Sequence, residues 1–313
     1  MNITILKTFS LNVFLLMFLT TIVFSNSVSA ASLNRMMVLS FDANQSHPTA
    51  YSLEPQSFGG GYWFPWTQQI SPASNVFYAI VGGDRMMALL NDGTVLTKDS
   101  PYSNWITQTT NAQWIAIGAN SQMMVINSAG NAYSKVGTYD PWVQQTSGGG
   151  ADNIAVGGNG RMMVIDSAGN AYSKESTYDA WLKQVDGASI ITMSPTGQMG
   201  VINSAGNAYS KVGLYDPWVQ QTSGGGTQAL AIGGNGRMMV IDSANNAYSK
   251  ESTYDAWLKQ VDGALDISVG QSGRMAVIDS DSNLYYKDSP TVQWNLAYRS
   301  NYPKNFNYSV SIN

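Results

Sequence analysis

Four times the chain sets a tyrosine, an aspartate, one variable residue and a tryptophan in a row. They are Tyr139-Asp140-Pro141-Trp142, Tyr178-Asp179-Ala180-Trp181, Tyr215-Asp216-Pro217-Trp218 and Tyr254-Asp255-Ala256-Trp257. Aromatic faces accept the C–H side of a sugar ring, and nearby planar polar groups take its hydroxyls. Copied shallow sites of this kind are weak singly and strong together, through effective concentration. Pro141 and Pro217 stiffen two of the runs and lower the ordering cost of binding. Each member also has a plainer role. A tryptophan recurring once per unit suits a packing wedge between sheets. The aspartates suit Asx-type turns, and the tyrosines, set in polar stretches, are the stronger ligand candidates.

Catalysis asks for something different, a unique and asymmetric set of groups whose pKa values are pushed apart. Here the carboxylates come as copies: Asp166 with Asp242, Asp179 with Asp255, Glu175 with Glu251. The single histidine, His47, lies in an irregular stretch and reads as a loop residue. The turn Asp166-Ser167-Ala168-Gly169-Asn170 is too poor in oxygen ligands for calcium, and the chain has no cysteine for thiolate sites or disulfides. The expectation is a protein that is not an enzyme, with no metal and no cofactor.

The elements that must position these runs follow from a repeat. Methionines at 36, 86, 123, 162, 199, 238 and 275 lead hydrophobic stretches, and tryptophans follow at 66, 105, 142, 181, 218, 257 and 294. The separation is 19 residues in six units and 30 in the first. From each tryptophan to the next methionine it alternates between 20 and 18. A period held across a chain means one supersecondary unit copied, each copy burying its faces on its neighbours.

Within one unit, Ile154 to Gly157, Arg161 to Asp166, Ala171 to Lys174 and Trp181 to Val185 read as four strands, with Gly-Asn turns between them. Short four-stranded antiparallel sheets, buried on both faces and repeated, close radially as a β-propeller. A solenoid would need distinct polar caps. The first unit lacks an opening strand before Asn34 to Leu39, and Tyr308 to Ile312 resembles that missing strand. The expectation is therefore an all-β, seven-bladed β-propeller of four-stranded antiparallel blades, closed by pairing the C-terminal strand with the N-terminal blade. Met123 to Gln198 and Met199 to Arg274 are each 76 residues long and identical at 60 positions, so a two-blade block was duplicated. The first unit departs most, with an excess of eleven residues that includes His47-Pro48 and the glycine- and aromatic-rich stretch Phe58 to Phe64.

Residues 1–30 read as a secretory signal peptide: Lys7, an apolar run densest from Val13 to Phe24, and small residues up to Ala30; a membrane anchor is the rival reading, but the 12-residue dense run is short for a bilayer span. Residues 31–313 then form a single propeller domain, exported and extracellular. Without Lys7 that domain has 15 basic and 20 acidic residues, a net of 15 − 20 = −5. So weak and acidic a charge lacks the footprint of a nucleic-acid binder, and nothing resembles a basic amphipathic membrane helix. No stable membrane insertion is expected after the signal is removed, and the charge leaves the oligomeric state open.

The order Trp-x-Gln, Ile-Ala-Val-Gly, a glycine turn, Val-Ile-Asp and Gly-Asn-x-Tyr resembles a tectonin repeat. Trp142, Gln144, Ile154 to Gly157, Val164 to Asp166 and Gly169 to Tyr172 carry it, and it recurs from Trp66 onward. Where tectonin repeats usually place a second-strand tryptophan, this chain has Met163 and Met239. A looser likeness is to bacterial seven-bladed propeller lectins. The resemblance implies a lectin recognising cell-surface or microbial glycans or glycoconjugates. A protein-interaction propeller is the alternative, and a glycoside hydrolase a minor one.

Overall fold

The computed structural model describes residues 36–40, 49–53, 67–70, 75–100, 102–298 and 309–312. The signal-peptide segment, His47 and the stretch from Phe58 to Phe64 lie outside the described residues, as does Trp66.

Six antiparallel four-stranded blades follow one another along continuous chain. They span 76–109, 112–144, 151–185, 188–220, 229–261 and 264–298, and are numbered blades 1 to 6. In blade 3 the strands are Ala151–Val156, Met162–Asp166, Ala171–Lys174 and Leu182–Val185, running from the innermost outward. The inner strand starts three residues before the sequence predicted, because a register shift between Ala151 and Asn153 lets Ala151 pair with Asp166. The second strand is buried throughout except at Asp166, as its unbroken apolar run predicts.

The expectation of seven equivalent blades is corrected. Continuous chain builds six, and the rest is a small sheet assembled from both ends: Ser309–Ile312, Met36–Ser40, Thr49–Leu53 and Thr67–Ile70. The first unit has no inner strand of its own, and its extra residues separate its strands, so it cannot copy the others. Its inner position is filled from the far end of the chain, with Met36 opposite Ile312 and Leu39 opposite Ser309. The inner strand Ser309–Ile312 packs against blade 6 on one side and blade 1 on the other, so the faces those two blades turn towards each other are covered.

The core lies in the seams between blades. Between blades 2 and 3, Trp114, Met124 and Ile126 pack on Ile154, Met162 and Val164. Each leading methionine from Met86 to Met275 is fully buried, and burying such a side chain stabilises by about 1.5–3 kcal/mol. Near the axis the inner turns touch. A Cβ on Gly158 would collide with Ala119 of the preceding blade, so that position admits glycine alone.

Charged side chains bind the seams in alternation. Arg161 of blade 3 holds Glu175 with Nε and Nη2, at 3.0 and 2.7 Å, and donates from Nη1 to the carbonyls of Gly197 and Val212 in blade 4. Arg85 ties blade 1 to Ser121 and Val136 of blade 2, and Arg237 ties blade 5 to Gly273 and Asp288 of blade 6. At the seam of blades 2 and 3 the same position is Gln122, which makes longer contacts, 3.4 Å each, to Met162 Sδ and Thr177 Oγ1. At the seam of blades 4 and 5 it is Gln198, bonded within its own blade to Ser210 at 3.5 Å. The duplicated two-blade block is thus visible as alternating arginine and glutamine seams.

Candidate functional site

The Tyr-Asp-x-Trp runs lie in the connections from third to fourth strand, all on one face of the ring. In each, the aspartate closes a tight turn. Asp140 and Asp216 accept the backbone N–H of Gly137 and Gly213 at 2.6 and 2.7 Å. Asp179 and Asp255 accept the hydroxyls of Ser176 and Ser252 at 2.8 Å. Beneath each turn a lysine from the third strand donates to a turn carbonyl: Lys135 to Thr138, Lys174 to Thr177, Lys211 to Leu214 and Lys250 to Thr253. Burial lowers the pKa of all four lysines. The tyrosine at the tip is thrown into solvent, with Tyr139, Tyr178, Tyr215 and Tyr254 each 85% exposed or more.

The tryptophans go elsewhere. Trp142, Trp181, Trp218 and Trp257 are half-buried in the seams, and each donates its indole N–H to the preceding blade. The acceptors are the carbonyls of Gln108, Gln145, Gln184 and Gln221, at 2.8 to 3.3 Å. The turn lysines sit over their rings at 4.7 to 5.0 Å. The structure therefore unites tyrosine and aspartate on one turn and sends the tryptophan into the seam as a wedge.

Two features escaped the sequence reading. Tyr102 occupies the same tip in blade 1 and is 81% exposed; its three-residue spacing to Trp105 marks it, but no aspartate follows. The second is a cleft of about 220 Å³ on the opposite face, at the seam of blades 2 and 3. The connecting residues Thr146, Ser147, Gly149 and Gly150 form one side, and Val164, Tyr172 and Trp181 of blade 3 the other, with Ala151 and Asp166 completing it. Gly148, Gly149 and Gly150 all have positive φ, which opens the connection without steric cost. The signal for this site was the Gly-Gly-Gly insertion, which occurs again at Gly224 to Gly226. The second copy keeps every lining residue except Ala151, which becomes Thr227; its hydroxyl bonds Thr222 at 2.7 Å.

Asp166 anchors the hairpin turn beside the cleft. Oδ1 accepts the N–H groups of Ala168 and Asn170 at 3.0 and 2.8 Å, and Oδ2 accepts the Asn170 amide at 3.0 Å. Burial pushes its pKa up, but bonds from Asn170, Ala168 and the Tyr172 hydroxyl outweigh this and hold the carboxyl below its usual range. Neighbouring Asp152 is raised, by burial first and by the Asp166 charge second. Among the described residues no cluster of three or more His, Cys, Asp or Glu is placed to hold a metal, and no helix is long and apolar enough to cross a membrane.

No family model matches the chain, and no curated protein matches it. Solved structures share its fold. YCF48 bound to D1 peptide superposes with a TM-score of 0.53 at 12% identity, over 71% of this chain and 81% of that one. Prp20p from Saccharomyces cerevisiae, a structure described with its binding to Gsp1p and histones, gives 0.57 at 9%, over 83% and 81%. PorZ, a surface component of the type-IX secretion system of Porphyromonas gingivalis, gives 0.57 at 8%, over 90% of this chain and 38% of PorZ. At such identities the likeness shows the β-propeller fold alone.

Proposed function

We propose that the protein is an exported, multivalent carbohydrate-binding module rather than an enzyme. The observation that carries this is the seam cleft, which brings an indole, a phenol ring, two hydroxyl side chains and an ionised carboxylate into a space of about 220 Å³. Apolar walls with a few convergent polar groups are what a small-ligand site requires. A sugar offers both a C–H face for Trp181 and Tyr172 and hydroxyls for Ser147, Thr146 and Asp166. The tyrosine turns on the other face supply additional open platforms, each weak alone. A glycan array probed with the purified protein tests the proposal, with retained binding at high glycan density as the expected result. A folded protein that binds no glycan at any density refutes it.

One observation favours a second reading. Five tyrosines exposed by 81% to 87% on one face are also the kind of rigid aromatic anchor that protein interfaces use. Replacing Tyr178 and Tyr254 together by alanine separates the two. Glycan avidity falls if the tips bind sugar, whereas a broad protein interface survives the loss of two anchors.

A further inference from the structure

The two faces of the ring differ in their charge balance. Among the described residues, the face bearing the tyrosine turns sets buried third-strand lysines and seam arginines against carboxylates of its own, Asp140, Glu175, Asp179, Asp216, Glu251 and Asp255. The cleft face has carboxylates on its hairpin turns, at Asp92, Asp166, Asp242 and Asp279, and on its connections, at Asp186 and Asp262. Among the described residues its lysines, Lys183 and Lys259, are already paired with Asp186 and Asp262 at 2.5 Å. The cleft therefore opens into a negative field with no free cation among its lining residues.

Loop and carboxylate also occur together. Blades 3 and 5, which follow the triglycine connections, set Asp166 and Asp242 at the turn after the second strand, whereas blades 2 and 4, which follow short connections, set Asn127 and Asn203 there. Asn127 builds the same turn, accepting Ala129 and Asn131 N–H at 3.1 and 3.0 Å. The turn therefore does not need the negative charge. Blade 6 keeps an aspartate, Asp279, without the long connection, so the pairing of both features marks the two cleft seams.

We propose that the cleft at the seam of blades 2 and 3 selects a sugar carrying a free amine, its ammonium facing Asp166 and its ring lying against Tyr172 and Trp181. This rests on the carbohydrate-binding reading above and names the ligand class for that site. Aromatic faces and carboxylates both attract a cation, while a neutral sugar gains nothing from the charge that blades 2 and 4 omit. In the seam of blades 4 and 5, Thr227 stands where Ala151 does and adds a methyl and a hydroxyl to the equivalent lining.

Calorimetric titration with a glucosamine tetramer and an N-acetylglucosamine tetramer tests the assignment. The expected result is at least a tenfold preference for the free amine, about 1.4 kcal/mol, weakening as salt is raised. Asp166→Asn keeps the turn, as Asn127 demonstrates, and is expected to bring the two ligands within about twofold. Ala151→Thr, copying Thr227, is expected to abolish binding at this seam while the fold persists. Equal affinity, or preference for the acetylated tetramer, overturns the amine assignment and leaves carbohydrate binding intact. If neither tetramer nor any arrayed glycan binds, both fall. If tetralysine binds as well as the glucosamine tetramer, the cleft reads cations of any kind, and the sugar assignment is overturned.

Discussion

The Oδ2 atom of Asp266, in the inner strand of blade 6, accepts the backbone N–H of Val310 at 3.0 Å. Its Oδ1 accepts the N–H of Ile267 at 2.9 Å. The carboxylate is fully buried and joins the last full blade to the strand that closes the ring. Burial pushes its pKa well above the usual value, against the opposing effect of the two backbone bonds. Tyr78, in the inner strand of blade 1, is also buried; burial first and the Asp266 charge second raise its pKa, so it stays neutral.

A carboxyl whose pKa is raised on folding binds its proton more tightly in the native state. Its contribution to stability is complete below the unfolded value, about 3.9, and is lost as pH rises through the folded value. Asp266→Asn keeps an acceptor for Val310 and removes the charge. The variant is expected to melt at least about 2 °C above the parent at pH 8, with the gap closing towards pH 4. Parallel Tm-against-pH curves for the two proteins would contradict this.

The arginine and glutamine seams differ in strength. Arg161→Ala strands Glu175 and two carbonyls, and is expected to cost about 2–4 kcal/mol in a denaturant titration. Glu175 is 43% exposed, so solvent screening places the loss towards the lower end. Arg161→Gln copies Gln122 and is expected to cost less than the alanine change. An equal loss for both would show that the guanidinium bonds across the seam contribute nothing.

Tryptophan and tyrosine of one run are expected to separate cleanly. Trp181→Ala removes a seam wedge with its bond to Gln145, at about 3–5 kcal/mol. Tyr178→Ala, three residues earlier, falls within about 0.5 kcal/mol of the parent. Comparable losses in chemical denaturation would mean that the exposed tip has a structural partner.

Thr227→Ala restores the open lining in the second copy of the cleft. It breaks the 2.7 Å bond to Thr222, at about 1 kcal/mol. Calorimetric stoichiometry with the cleft ligand is expected to double from one site to two. An unchanged count shows that some other residue closes the second cleft.

The repeat was legible because its signals are local: the methionine-to-tryptophan spacing, Gly-Asn turns and unbroken apolar second strands carry strand number, order and the pairing of Met36 to Ser40 with Ser309 to Ile312. The blade count was less so, because the first unit shares the methionine and tryptophan marks while drawing its inner strand from the other end. Tyr139 and its copies were legible as loop-tip residues. The partnership of Trp181 with Tyr178 was not, since neighbours in sequence at a strand start can face different environments. The cleft was hidden for the converse reason: Thr146 and Tyr172 lie on different blades and meet only when the seam forms.

The triglycine connections fall at the two seams where glutamine takes the place of the arginine clamp. A guest lodged beside Ala151 would touch Thr146 on one side and Trp181 on the other. It would act as mortar where the masonry is thinnest, so that occupancy stiffens the joint between adjoining arginine-clamped pairs of blades and draws their melting together.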